Sequence, residues 1–389
     1  MSEKIIVFGA GATGRGHVGL LAWQSGYSLV FVDKNRDLVN SLRQAGKYKV
    51  KLYGEKNTEL TVSGFRSYHA EEREAIANEI ADSVLVLTAV FDQNLFDVAK
   101  TIAVSSTACR KANRTTPLNF VACENMMDSS SILGRHVQSL LTGEDLDYCK
   151  KYFGFPDCMI SRVVPRPGSN PLLITAEDYN EWTACTDTFK GIKPASLEPL
   201  QLVNNQTARL ERKLFIHNGG HAVCGYIGFQ RGHRYIHEAV HDPVVAEHVL
   251  EALDEIGAVV MHKHGFSSES IDAYKKDLVR RGAVPEMKDE ILRVVRDPIR
   301  KLSPKERLVA PAVIAIEYEL PHYWIVRGIT AALRYQHPDD AQSLALSEKI
   351  RSNGLLSVLE EICGINQQSP LAREIIETWN GTQLNKDYR

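Results

Sequence analysis

Ile5-Ile-Val-Phe-Gly9-Ala-Gly11-Ala-Thr-Gly14 decides the fold. Four apolar residues run straight into glycines spaced G-x-G-x-x-G, and a helix-like stretch, 17–25, comes next. The pattern predicts a short buried strand, a tight turn and a helix start, with Asp33 closing the next strand. Each residue type has a physical reason. Gly9 permits the turn, Gly11 lets backbone approach a pyrophosphate, and Gly14 lets helix and strand pack closely. The helix N-terminus, with Ala12 and Thr13, offers free N–H groups and partial positive charge to phosphates. Asp33 would accept hydrogen bonds from ribose hydroxyls and repel a 2′-phosphate, which favours NAD over NADP; Lys34 and Arg36 blur that preference. An ordinary Gly-rich turn is the alternative.

Working outward, strands are predicted at 28–33, 83–88, 118–122 and 157–164, with a helix at 38–45 after the first of these. Residues 50–53 and 59–65 flank a polar turn at 54–57 and read as a hairpin. SVLVLT and LNFVA show no polar alternation, as in central parallel strands covered on both faces. The alternation of strands and helices predicts an α/β fold, an N-terminal Rossmann doubly wound parallel sheet. Loops at the carboxyl ends of strands then face the ligand, which places Thr88, Ala89 and Asn125 in the crevice; a turn or capping role is the alternative for Asn125. Residues 191–199 are rich in breakers and read as a connector. Beyond it, 204–217, 246–264, 270–280, 310–319, 324–335 and 341–351 carry helical periodicity. The expected domains are 1–195, binding NAD, and 196–389, mainly α-helical and carrying the substrate chemistry.

The whole composition agrees with a two-domain globular chain. Of 389 residues, 44% are hydrophobic and 24% charged, which excludes disordered and fibrous classes. Lys+Arg at 46 against Asp+Glu at 48 gives no reason to expect nucleic acid or an anionic membrane as partner. The apolar runs 84–90 and 309–316 are too short to span a bilayer. The N-terminus lacks the basic and apolar regions of a signal peptide. Seven scattered cysteines, with no C-x-x-C pair, point to a reduced compartment. The expectation is a cytoplasmic protein, monomeric or a small homo-oligomer.

The chemical signal lies at Glu211-Arg-Lys213-Leu-Phe-Ile-His217-Asn218-Gly-Gly-His221, read as the end of the helix 204–217. At about 100° per residue, with Lys213 as zero, His221 falls near ~80° and Asn218 near ~140°, so an amine, an amide and an imidazole share one side. Gly219 and Gly220 each cost a helix about 1 kcal/mol relative to Ala, which suggests close approach by another backbone or a ligand. The plain alternative is a solvated lysine, a capping asparagine and a packed histidine. A competing metal reading rests on His233, His237 and His241, which recur every four residues. Three such positions span about 12 Å of helix and do not converge easily, and Pro243 is expected to end that helix. No metal is expected.

The segments GAGATGRG, ACENM, ERKLFIHNGGH, RDPIRKLSPKERL and EYELPH, in this order, resemble the polyol-specific long-chain dehydrogenase/reductase family essentially end to end. The resemblance includes K-x4-N-x2-H as Lys213, Asn218 and His221. It implies zinc-independent hydride transfer with NAD, interconverting D-mannitol 1-phosphate and D-fructose 6-phosphate where the domains meet. It implies Lys213 as general acid/base, Asn218 and Asn125 as binders of the carbonyl or alkoxide oxygen, and His221 as orienter of a substrate hydroxyl. A free lysine has a pKa of ~10.4, so burial beside a positive nicotinamide is expected to lower it. A phosphosugar also needs cations, and Arg296, Arg300, Lys301 and Arg307 are the candidates, with His322 and Arg162 weaker ones. An unphosphorylated polyol (mannitol, arabinitol) or a hexuronate (fructuronate, tagaturonate) is the first alternative, and a non-catalytic dinucleotide sensor the second. Ala12-Thr13 and Tyr323-Trp324 depart from the family pattern and leave room for an altered sugar.

Overall fold

A computed structural model describes residues 3–55 and 57–384 of the chain, the last three of these by backbone alone. The chain divides into two compact units, Met1–Leu210 and Glu211–Arg389.

The first unit is built on six parallel strands. These are β1 (Lys4–Phe8), β2 (Ser28–Asp33), β5 (Arg66–His69), β6 (Leu85–Thr88), β7 (Leu118–Ala122) and β8 (Phe153–Gly154), in the order β5-β2-β1-β6-β7-β8. Strand side chains alternate between faces. Ile5 and Val7 therefore join Leu29, Phe31, Leu85 and Leu87 in one core, while Ile6 and Phe8 join Val30, Val32, Val86 and Phe120 in another. Burial on both faces explains why these strands are unbroken apolar runs. The order reverses between β1 and β6, and ligands of such sheets bind outside the carboxyl ends at that point.

The predicted hairpin is present as β3 (Lys47–Tyr53) and β4 (Thr58–Ser63), antiparallel, with β10 (Leu173–Glu177) added beside β3. The strand predicted at 157–164 is β9 (Cys158–Ser161). It does not extend the parallel sheet. It pairs antiparallel with β11 (Glu181–Cys185) in a separate sheet that ends in β12 (Leu200–Val203), beyond the connector. Its partner strand lies a short way on in sequence, which favours local antiparallel pairing.

The second unit is helical. Gln206–Arg212, Lys213–His217 and Asn218–Gln230 succeed one another without a break. The helix expected to end at 217 therefore runs on through Gly219 and Gly220, which Arg307, Leu253 and Leu278 cover closely. Pro243 opens a helix rather than ending one. Pro243–His264 starts behind Asp242, whose carboxylate caps the Val244 N–H at 2.9 Å, and proline suits a first helical turn because its missing N–H is unpaired there anyway. The helix closes on Gly265 at φ 71°. Its buried face joins Phe215, Ile216, Val223, Val295, Leu308 and Ile329 in one core.

Candidate functional site

The glycine loop is held from three sides. Gly9 sits at φ 91°, and a Cβ there would lie 2.1 Å from the Ala89 carbonyl oxygen, so only glycine lets the loops after β1 and β6 meet. A Cβ on Gly14 would strike the Gly9 carbonyl oxygen at 1.8 Å. A Cβ on Gly11 would meet nothing within 4 Å, which leaves the backbone open to a phosphate. Asp33 accepts the Ala10 N–H at 2.7 Å and the Asn35 N–H at 2.9 Å, so the acidic residue also shapes the loop. Lys34 turns to Asn94 at 2.8 Å and Arg36 pairs with Glu71. Ala12 and Thr13, half-buried, begin the helix, which widens into a π-turn at Gly14–Val18. Such turns bond i to i+5 and recur at functional sites.

Two supports escaped sequence reasoning. Arg15, 1% exposed, donates Nε to the Ala10 carbonyl and Nη1 to that of Pro171, both at 2.6 Å, and lies over the Tyr48 ring. Burial pulls its pKa down to about 10. Glu124, after β7, accepts the Thr88 hydroxyl at 2.7 Å and the Val90 and Phe91 N–H groups at 2.9 Å. Its burial raises its pKa, against those hydrogen bonds. Thr88 is thus fully buried and serves the loop from beneath, while Asn125 is exposed at the carboxyl end of β7. Arg162 donates to the carbonyls of Tyr179 and Gly16, so it braces the unit that carries the glycine loop. No local pattern marks Arg15 or Glu124, because Pro171 and Tyr48 for the one, and Thr88, Val90 and Phe91 for the other, lie far along the chain.

In the second unit a π-turn spans Lys213–His217. It interrupts the 100° advance assumed from sequence, so the angles read there do not hold across it. Lys213, Asn218 and His221 are half-buried. Just before them Glu211 receives Lys263 at 2.7 Å and His264 at 2.6 Å, and Arg212 stacks on Tyr274, 4.3 Å from its ring centroid. A Cβ on Gly219 would lie 2.8 Å from the Arg307 carbonyl oxygen, so the doubled glycine admits the backbone that carries Arg307. His217 is buried with its Nδ1 unpartnered. Burial holds it well below the usual imidazole range, and the charges of Arg281, His221, Lys213 and Arg307 push the same way.

The residues expected to bind an anion gather. Glu306 bridges Arg300 at 3.2 Å and Arg307 at 2.9 Å. Lys301, 4% exposed, donates to the Arg296 carbonyl. Burial, then the charges of Arg307 and Arg300, pull its pKa down to about 7. His221 Nε2 lies 3.0 Å from Asp289, which Arg293 holds at 2.6 and 2.7 Å; sequence reasoning singles out neither. His322 goes elsewhere. It bonds Leu320 and Glu374 and lines a cavity of about 1100 Å³ with Tyr323, Trp324 and Arg327, none of the catalytic candidates among its walls.

His233 lies outside any helix, paired with Asp242 at 2.9 Å, and only His237 of the three lies on a short helix, Ile236–Ala239, so the expected stripe does not form. Among the described residues no group of three or more His, Cys, Asp or Glu is placed to hold a metal. Among them, too, no helix is long and apolar enough to cross a membrane. All seven cysteines are free thiols.

Comparison with known proteins agrees with this anatomy. The solved Pseudomonas fluorescens mannitol 2-dehydrogenase, a ternary complex with NAD and D-mannitol, is 17% identical with a TM-score of 0.77, over 98% of this chain and 92% of that one. A substrate-free D-sorbitol dehydrogenase is 14% identical with a TM-score of 0.82, over 98% and 93%. A D-mandelate dehydrogenase with NADH and anilino(oxo)acetate shares the fold more loosely, at 13% identity and a TM-score of 0.51 over 88% and 99%. The mannitol dehydrogenase Rossmann domain model matches residues 3–196 and the mannitol dehydrogenase C-terminal domain model residues 207–380. With nearly its whole length so matched, the chain belongs to the mannitol dehydrogenase family and is a polyol dehydrogenase.

Proposed function

We propose that this chain is a mannitol-1-phosphate 5-dehydrogenase, interconverting D-mannitol 1-phosphate and D-fructose 6-phosphate. One observation carries the phosphate. Lys301 is buried beside Arg300 and Arg307, which share the single carboxylate of Glu306, so three cations gather round one acid and suit a multiply charged anion. Domain 1–195 binds NAD through Gly9, Gly11, Ala12, Thr13, Gly14 and Asp33, with Thr88 and Ala89 beneath the nicotinamide, and domain 196–389 carries the chemistry. Lys213 takes the proton from the alcohol in oxidation and returns it in reduction. Asn218 and Asn125 donate hydrogen bonds to the oxygen on which negative charge grows. His221 orients a neighbouring hydroxyl, and Arg300, Lys301 and Arg307 hold the phosphate. Bound NAD supplies the hydride acceptor, or in reduced form the donor. No metal enters. The setting is the cytoplasm and the assembly a monomer or small homo-oligomer.

The same cations suit a hexuronate carboxylate, which keeps that second reading in play. A panel of fructose 6-phosphate, fructose, fructuronate and tagaturonate with NADH separates them. Fructose 6-phosphate is expected to give the highest kcat/KM by a wide margin. Comparable or faster turnover of an unphosphorylated ketose would remove the phosphate from the proposal.

A further inference from the structure

Asp289 lies far along the chain from the K-x4-N-x2-H stretch, yet its carboxylate stands 3.0 Å from His221 Nε2 with only 10% of its side chain exposed. It is held rigidly. The Ile236 N–H donates to its backbone carbonyl at 2.9 Å, and the next residue, Glu290, bridges to Tyr235. Arg293 places Nε and an Nη on Oδ1 alone, at 2.7 and 2.6 Å, which leaves Oδ2 for the imidazole. Burial works to raise the acid's pKa, but His221 and Arg293 more than offset it, and the carboxylate is ionised. An ionised carboxylate only accepts hydrogen bonds, so His221 Nε2 must be the donor. In the neutral ring Nδ1 is then left as an acceptor.

We infer that Asp289, steadied by Arg293, is a positioning residue that fixes His221 in the Nε2–H form and turns its Nδ1 lone pair towards a substrate hydroxyl. This rests on the reading of His221 as the orienter of a hydroxyl and not on the identity of the sugar. The ring then accepts a hydrogen bond from the substrate hydroxyl, and a substrate lacking that hydroxyl gains nothing from it. The neighbouring His217 ring, 5.9 Å away and edge-on, limits rotation of His221 from the other side. An aspartate fixing the tautomer of a functional histidine is a general device, and losing it leaves the imidazole free to present the wrong nitrogen.

The experiment has two arms on the full chain with NADH bound. In the first, ¹⁵N NMR of the histidine side chains, with His221 assigned by His221→Gln, reports which nitrogen carries the proton. The wild-type ring is expected to be Nε2-protonated and Asp289→Asn to mix the tautomers; a wild-type Nδ1–H ring would overturn the inference. This arm needs no substrate, so it stands even if the phosphosugar reading fails. The second arm is a double-mutant cycle on whichever ketose turns over. Asp289→Asn is expected to lower kcat/KM about 10- to 100-fold, as when an orienting carboxylate is lost from a liganding histidine, and to add little further loss in a His221→Gln background. Equal losses in both backgrounds would mean that Asp289 acts independently of His221. Should Asp289→Asn fail to fold, Asp289→Glu keeps the carboxylate and is expected to retain the Nε2–H form; its loss with native NADH affinity would count against the assignment.

Discussion

Both units place a π-turn in the helix that carries the site, at Gly14–Val18 in one and Lys213–His217 in the other, but they use it differently. In the first, all five residues of the turn are buried, and the loop before it offers backbone N–H groups. Arg15 and Glu124 hold that backbone in place, and Asp33 holds it as well through the Ala10 N–H. In the second, the turn opens on Lys213, half-buried, and the groups proposed to react are side chains. The difference stems from the ligands. A pyrophosphate presents the same oxygens in every dinucleotide and is met by peptide N–H groups and a helix dipole. A polyol must exchange a proton, and no peptide group titrates near neutral pH.

The contrast breaks most sharply at Lys213. Lys213→Ala is expected to lower kcat by about 10²- to 10⁴-fold while NADH affinity by fluorescence titration stays native. Retained turnover would show that the second unit's lysine is not the proton-transfer group. The converse change is Gly9→Ala. Its Cβ would collide with the Ala89 carbonyl at a backbone angle that alanine rarely adopts. It should destabilise the protein by about 1–3 kcal/mol and abolish NADH binding, read by thermal melting and titration. An unperturbed melt and native affinity would argue against the tight loop.

A smaller effect sharpens the anion site. Lys301→Met is expected to raise KM for fructose 6-phosphate about 10- to 100-fold, the size of one charge-assisted hydrogen bond of about 1.5–3 kcal/mol. KM for an unphosphorylated ketose should not move. The pH dependence has a definite sign. An anion favours the protonated amine, so affinity is full below the amine's pKa of about 7 and falls as pH climbs above it. KM for fructose 6-phosphate should therefore rise from about pH 7 to about pH 9 in the wild type and stay flatter in Lys301→Met. The smallest expected effect is none. Chelator dialysis should leave activity unchanged, and loss restored by added zinc would revive a metal role.

The parallel strands and the hairpin are readable because their signals are local: unbroken apolar runs for strands covered on both faces, a polar turn between two alternating runs. β9 is legible as a strand but not in its place, since its partner β11 carries no pattern naming it. The helix break expected before Asn218 fails because Gly219 and Gly220, weak helix formers, are compensated by the backbone of Arg307 and the side chains of Leu253 and Leu278 packed against them. Pro243 misleads because Asp242, its cap, counts only when the helix beyond is known.

The order of residues alone determined the glycine loop, its acidic partner and the lysine–asparagine–histidine series. Each is written in spacings of a few residues or in one strand–helix–strand repeat, over which local geometry is nearly fixed. Only the folded chain decided that Asp289 meets His221, that Glu124 ties the loops after β6 and β7, that Lys301 is buried beside arginines, and that His322 belongs to another cavity. The contacts of Asp289 and Glu124 join segments distant in sequence, and the environment of Lys301, whose arginines are its near neighbours along the chain, is set by burial, which no spacing encodes.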